Sequence, residues 1–241
     1  MRLHRRQDLT ADLKQLGVET GDILFVHSSF KSLGLVEHGA VTVIDALEEV
    51  LGPQGLLLMP SFNLVEHSRR AATWNLTKTP STVGWLTEYF RCMPGTFRSD
   101  HFSHSIAARG NQAERFVADH HDQAGCAHPL DLKGWGKMYG SNSPMLKAYD
   151  AGGKLMMLGV DYESSTYIHV AEVMDWDRRS RRDPQAQYRW LNRSAVGRFW
   201  EKNGPIRYGK VGDAYCRFFP IPAYVDTLLQ ELKHRPHHYA R

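Results

Sequence analysis

His169 and Glu172 lie three residues apart within Ser165–Met174, a segment whose apolar spacing predicts a helix, so both project from one helix face. A carboxylate beside an imidazole raises its basicity and fixes its tautomer. Such a pair can take the proton from an attacking amine, which is inert while it stays protonated. The same spacing also suits a plain hydrogen bond on a helix surface. What favours chemistry is position, because the helix follows an apolar strand and the polar run Asp161, Tyr162, Glu163, Ser164, Ser165, Thr166.

His101 and His104 fall in a second polar segment after Ser99 and Asp100. Either suits a second acid/base group, a hydrogen-bond donor to a carbonyl, or a metal ligand. A cluster of His101, His104, His169 and Glu172 would suit zinc and a metal-dependent hydrolase. No HExxH or HxHxD pattern supports that rival, and no metal is expected. Ser28 and Ser29 lack a GxSxG context, so a nucleophile elbow is unsupported. Serines and backbone N–H groups at a strand end instead suit a phosphate or amide contact. Thr79, Pro80 and Ser81 read as a helix start with the same capacity. No P-loop or GxGxxG is present, which removes the usual cradles for nucleotide hydrolysis and nicotinamide chemistry.

The elements that must hold these residues follow from the hydrophobic pattern. Leu9, Leu13 and Leu16 mark a short amphipathic helix that Gly17 stops. Ile23–Val26 is a buried strand, Val41–Leu51 a helix, and Leu56–Met59 a second buried strand. This strand–helix–strand unit predicts a right-handed crossover and a sheet with parallel members. Ser81–Phe90 reads as a helix, His104–Ala108 as a short strand, Gly153–Val160 as a third buried strand, and Val225–Lys233 as a closing helix. Tyr188–Trp200 has mixed strand character. In open α/β sheets ligands gather at the carboxyl ends of strands. Three polar clusters sit at such ends: residues 27–29, 60–63 and 161–166.

Composition sets the class. The 241 residues are 42% hydrophobic and 23% charged, enough for a sizeable core, and no linker divides them. One domain over 1–241 is expected, with residues from about 176 to 241 as a C-terminal elaboration. The cysteines, Cys92, Cys126 and Cys216, form neither a disulfide framework nor a CxxC knuckle, so free thiols are expected. The basic N-terminus has no apolar region behind it, and no run is long enough to span a bilayer, so a cytoplasmic protein without a membrane partner is expected. Net charge is +4, with Arg178, Arg179, Arg181 and Arg182 clustered. No zinc-finger, RNP or helix-turn-helix pattern accompanies them, so no nucleic-acid partner is expected.

Taken together, the segments 21–63, 79–110, 141–172 and, more weakly, 209–219 resemble the aminoglycoside N3-acetyltransferase family, in the family's order. The resemblance implies a fold distinct from the GNAT acetyltransferases: a three-layer α/β/α arrangement around a central mixed, partly parallel sheet. It implies acetyl-CoA as donor, direct transfer to a small-molecule amine, and antibiotic resistance as a role. By motif, His27, Ser28 and Ser29 are similar to CoA-contacting residues, as are Thr79, Pro80, Ser81 and Val83 of the TPSxVG segment. His101 and Ser105 match an HPxxS-type stretch, in which Phe102 here replaces the usual proline. His169 and Glu172 match the HxxE that supplies the catalytic histidine and its acidic neighbour. Polycationic acceptors favour an acidic cleft, and this chain is net basic, so the acceptor amine stays open at this point. A CoA- or sugar-binding module without catalysis is the non-enzymatic alternative. A homodimer is compatible with the sequence, which does not specify one.

Overall fold

The computed structural model describes residues 2–241. The chain runs β1 (Leu3–His4), α1 (Arg6–Leu16), β2 (Ile23–Ser28), β3 (Leu35–Val36), α2 (Ala40–Leu51), β4 (Leu56–Pro60), α3 (His67–Arg70), α4 (Trp85–Cys92) and β5 (Phe97–Arg98). It continues with β6 (Ile106–Gly110), α5 (Ala113–Val117), α6 (Pro144–Asp150), β7 (Lys154–Leu158), α7 (Tyr167–Ser180), α8 (Arg193–Asn203), β8 (Arg207–Val211), β9 (Ala214–Pro220) and α9 (Ile221–His234).

Seven strands form one sheet in the order β5-β6-β4-β2-β7-β9-β8. The central trio is parallel, with Phe25 opposite Leu58 on β4 and opposite Leu155 on β7. The outer pairs, β4 with β6 and β7 with β9, are antiparallel. The sheet is therefore mixed and partly parallel, as expected. The residues read as a C-terminal elaboration supply two of its strands, β8 and β9.

Period-two alternation sorts the core into two layers. Leu24, Val26, Leu57, Met59 and Met156 face α1, α2 and α4. Phe25, Leu58, Leu155 and Met157 face α6, α7 and α9. Helices thus cover both faces, and burying the continuous apolar runs of β2, β4 and β7 on both sides is what fixes them centrally.

Three boundaries differ from the sequence reading, each for a local reason. The helix expected from Ser81 begins at Trp85, because Gly84 has φ of 147°, a left-sided conformation no helix interior adopts. The strand expected from His104 begins at Ile106, because the backbone N–H groups of Ser103 and His104 donate to His101 Nδ1 and hold a turn. The stretch of mixed strand character contains α8, capped by Asn192, whose side chain accepts from Ala195 N–H at 2.9 Å.

Candidate active site

The parallel strands β2, β4 and β7 end on the same side of the sheet, and the antiparallel β6 begins there. That topology brings His27 and Ser28 from the end of β2 beside Pro60 and Phe62 from β4. His104 lies just ahead of β6, and Glu163, Ser164 and Thr166 come from the β7–α7 connection. These residues, with Leu64, Val83, Thr87, His169 and Arg193, line a cavity of about 410 Å³.

His169 sits one turn inside α7 and is held at both nitrogens. Nδ1 lies 2.5 Å from Glu172 Oε2, and Nε2 lies 2.9 Å from Nη2 of Arg193. A guanidinium only donates. Nε2 is therefore the lone-pair nitrogen, Nδ1 carries the proton, and Nδ1–H donates to Glu172. The basic nitrogen consequently faces the cavity. Glu172 is 3% exposed and accepts two further hydrogen bonds, from Tyr188 Oη at 3.0 Å and from Leu191 N–H at 2.6 Å. Three donors thus satisfy this buried carboxylate without a direct cationic partner. Burial, followed by the nearby Glu172 charge, pushes the Tyr188 hydroxyl far above its ordinary pKa, so it remains a donor. Tyr139, Trp190 and the His128 ring pack around the pair as an aromatic wall.

His27 is 4% exposed, and its Nε2 accepts from the Thr166 backbone N–H and lies 3.1 Å from Thr166 Oγ1. It thereby ties the end of β2 to the start of α7. Burial, reinforced by the Arg193 charge, lowers its pKa to about 3, so the ring is neutral at every physiological pH. Ser28 Oγ is buried at the cavity with no hydrogen-bond partner. His104 lines the cavity through a ring whose Nδ1 is also buried and unpartnered. An unmet polar group in a cavity wall is a place for a ligand atom.

Of the other residues singled out by sequence, Val83 lines the cavity and the rest lie outside its lining. His101 is fully buried, stacks on Phe102 and His120, and gives Nδ1 to two backbone N–H groups, which fixes the turn that presents His104. Ser105 donates to the Ser61 carbonyl at 2.5 Å and accepts from Arg98, locking β6 against the end of β4. Ser81 Oγ pairs with Thr87 Oγ1 at 3.1 Å, and Thr79 closes a turn with Asn75 N–H. Pro80 is exposed and Val83 lines the cavity. Ser29 N–H donates to the Leu158 carbonyl and joins β2 to β7. Of the four residues of the hydrolase reading, His104 and His169 line the cavity, His101 does not, and Glu172 is taken up by three donors. Among the described residues no three His, Cys, Asp or Glu side chains are grouped as a metal would require.

Arg193, Tyr188 and the Leu191 N–H were missed. All come from residues 188–193, which carry neither helical nor strand periodicity. The available signal was Asn192, an N-cap residue preceding a run of helix formers. A larger hollow of about 660 Å³ lies beside β5 and α5. Two of its charged groups are engaged in the wall: Asp100 with Trp74 and His121, and Arg98 with the Ser61, Leu76 and Thr79 carbonyls. The smaller cavity is the one that His169 lines, with Ser28 and His104 offering unpartnered polar atoms.

The family model for aminoglycoside 3-N-acetyltransferase matches residues 25–233. The chain is 29% identical over 256 aligned positions to the SPbeta prophage-derived aminoglycoside N(3')-acetyltransferase-like protein YokD of Bacillus subtilis, covering 92% of this chain and 89% of that one. It is 34% identical to aminoglycoside N(3)-acetyltransferase IV of a Salmonella species, over 70% of this chain and 59% of that relative's length. Its fold matches the structure of AAC-IIIb in binary complex with CoASH, with a TM-score of 0.77 and 25% identity, covering 97% of this chain and 98% of that one.

Proposed function

The chain belongs to the aminoglycoside 3-N-acetyltransferase family of acetyl-CoA-dependent enzymes, and we propose that it acetylates an amine of an aminoglycoside or related amino sugar with His169 as general base. The observation that carries this reading is the defined tautomer of His169. Glu172 holds Nδ1–H, so Nε2, on the side of Arg193 and the cavity, carries the lone pair.

The cavity suits the thioester end of acetyl-CoA. Phe62, Leu64 and Val83 give an apolar lining, while Ser28 Oγ and the His104 ring supply unmet polar groups. Acetyl-CoA supplies the activated acetyl group. The acceptor nitrogen bonds to the acetyl carbon, the carbon–sulfur bond breaks, and the amine proton passes to His169 Nε2. From there it goes to the departing thiolate, so protons balance and His169 returns neutral. Glu172 stabilises the imidazolium that exists in between, and its two other hydrogen bonds keep it from rotating. The groups placed to meet charge developing on the acetyl oxygen are Ser28 Oγ and the His104 ring.

His169→Ala tests the assignment. Turnover, followed as free thiol release, is expected to fall about 10²–10⁴-fold, as for loss of a general base. CoA affinity measured by calorimetry should stay within a factor of a few. Unchanged turnover would remove His169 from the mechanism.

A further inference from the structure

The basic nitrogen of His169 is already occupied in this structure. Arg193 Nη2 donates to it at 2.9 Å, and Nη1 donates to the Glu163 carbonyl. A lone pair that accepts one hydrogen bond in the ring plane has no second place for an amine proton. The backbone at Arg193 is fixed by the Asn192 cap at the start of α8, so freeing the base is a matter of the side chain alone.

Charge around the cavity indicates what would draw it away. Besides Arg193, the ionisable groups lining it are the imidazoles of His27, His104 and His169 and a single carboxylate, Glu163. Glu163 is already bound by Ser194 Oγ at 2.6 Å and faces Arg241 at 3.5 Å. Glu172 lies behind His169 with its donors fixed. A polycation entering here meets a guanidinium and no free carboxylate, which is poor complementarity. An oxyanion on the acceptor reverses both effects. It offers the guanidinium a bidentate, charge-assisted partner stronger than a neutral imidazole, and it moves the cation off Nε2.

Resting on the acetyltransferase reading above, we propose that Arg193 is a specificity-determining residue and that the preferred acceptor is a small amine bearing a carboxylate or phosphoryl group near the amine. The acceptor's own oxyanion releases the base by pairing with Arg193. A cavity of about 410 Å³ that also admits the acetyl end of the donor is consistent with a small acceptor.

The test compares glucosamine, glucosamine 6-phosphate, glucosaminuronate and gentamicin as acceptors, with thiol release as the signal, in the native protein, Arg193→Gln and Arg193→Lys. The native protein should have its highest kcat/KM on an anionic amine; whether that is the phosphate or the carboxylate identifies the oxyanion. Arg193→Gln should raise KM for the anionic acceptors about 10- to 100-fold, the loss of a charge-assisted contact, with a much smaller effect on kcat. The kcat/KM ratio of an anionic acceptor to gentamicin should therefore fall by a similar factor, while Arg193→Lys restores part of the anionic preference. A native preference for gentamicin, or an equal loss on all acceptors in Arg193→Gln, overturns the proposal. Thiol release that persists in His169→Ala, or that no amine elicits, would instead remove the acetyltransferase reading beneath it.

Discussion

Glu172 carries more of the site's design than its distance from the cavity suggests. Three donors converge on it: His169 Nδ1–H, the Tyr188 hydroxyl and the Leu191 N–H. Glu172→Gln keeps the shape but substitutes an NH₂ for one oxygen, so three donors then face one acceptor and two more donors. The imidazole can relieve that conflict by moving its proton to Nε2, which removes the basic lone pair from the cavity. Turnover in Glu172→Gln is therefore expected to fall about 10²–10⁴-fold, close to the loss in His169→Ala, with CoA affinity retained. Tyr188→Phe removes one neutral-donor contact and leaves the other two, a loss of about 1 kcal/mol, so its turnover should fall by less than about tenfold. Steady-state thiol-release kinetics on both variants check this ranking. A Tyr188→Phe defect as deep as that of Glu172→Gln would mean that the carboxylate is held by the phenol rather than by the backbone.

At the scale of elements, legibility followed periodicity. The strands β2, β4 and β7 were readable because continuous apolar runs have few other destinations, and the polar residues at their ends came with them. The helix α7 was readable through its cap region and its apolar face, which placed His169 and Glu172 on one side. Helix α8 was hidden by Gly197, which lowers helix propensity in mid-helix, and by the irregular stretch before it. The structure explains that glycine. A Cβ at position 197 would stand 2.3 Å from the Tyr162 ring, which is itself buried and packed near Tyr224 and Arg217. Propensity alone predicts that Gly197→Ala stabilises the protein by about 1 kcal/mol. Overpacking against a ring with no room to retreat costs about 1–3 kcal/mol and decides the sign. Gly197→Ala is therefore expected to lower Tm by several degrees, and calorimetry that found a raised Tm would show that Tyr162 can yield. Because α8 carries Arg193 at its first turn, the same variant should also disturb acceptor selectivity.

Across the whole molecule, the fold buries neutral imidazoles from segments far apart in sequence. His27 comes from β2, His101 from the turn before β6, and His120 and His128 from the α5–α6 connection. These four are between 0% and 7% exposed. Burial depresses each pKa: to about 3 for His27 and His120, to about 4 for His128, and well below the ordinary value for His101. Nearby cations and imidazoles add to the shift in His27, His101 and His128, whereas the Met138 carbonyl opposes it in His120. In the unfolded chain all four titrate near 6.5. Between that value and about 4 the unfolded state binds protons that the folded state refuses, so stability rises with pH and falls as pH is lowered through this window. Each imidazole contributes about 1.4 kcal/mol per pH unit there, and four together contribute about 5. Against a typical total stability of about 5–15 kcal/mol, that slope is a large share of the total. The guanidinium midpoint should drop steeply between about pH 6.5 and pH 4.5, and His120→Gln should flatten the slope by about one imidazole's share. A midpoint that holds steady through that range would mean the rings are solvated well enough to protonate in the folded state. Because these buried rings tie the fold together, loss of activity in acid should coincide with loss of structure, which circular dichroism recorded beside turnover checks.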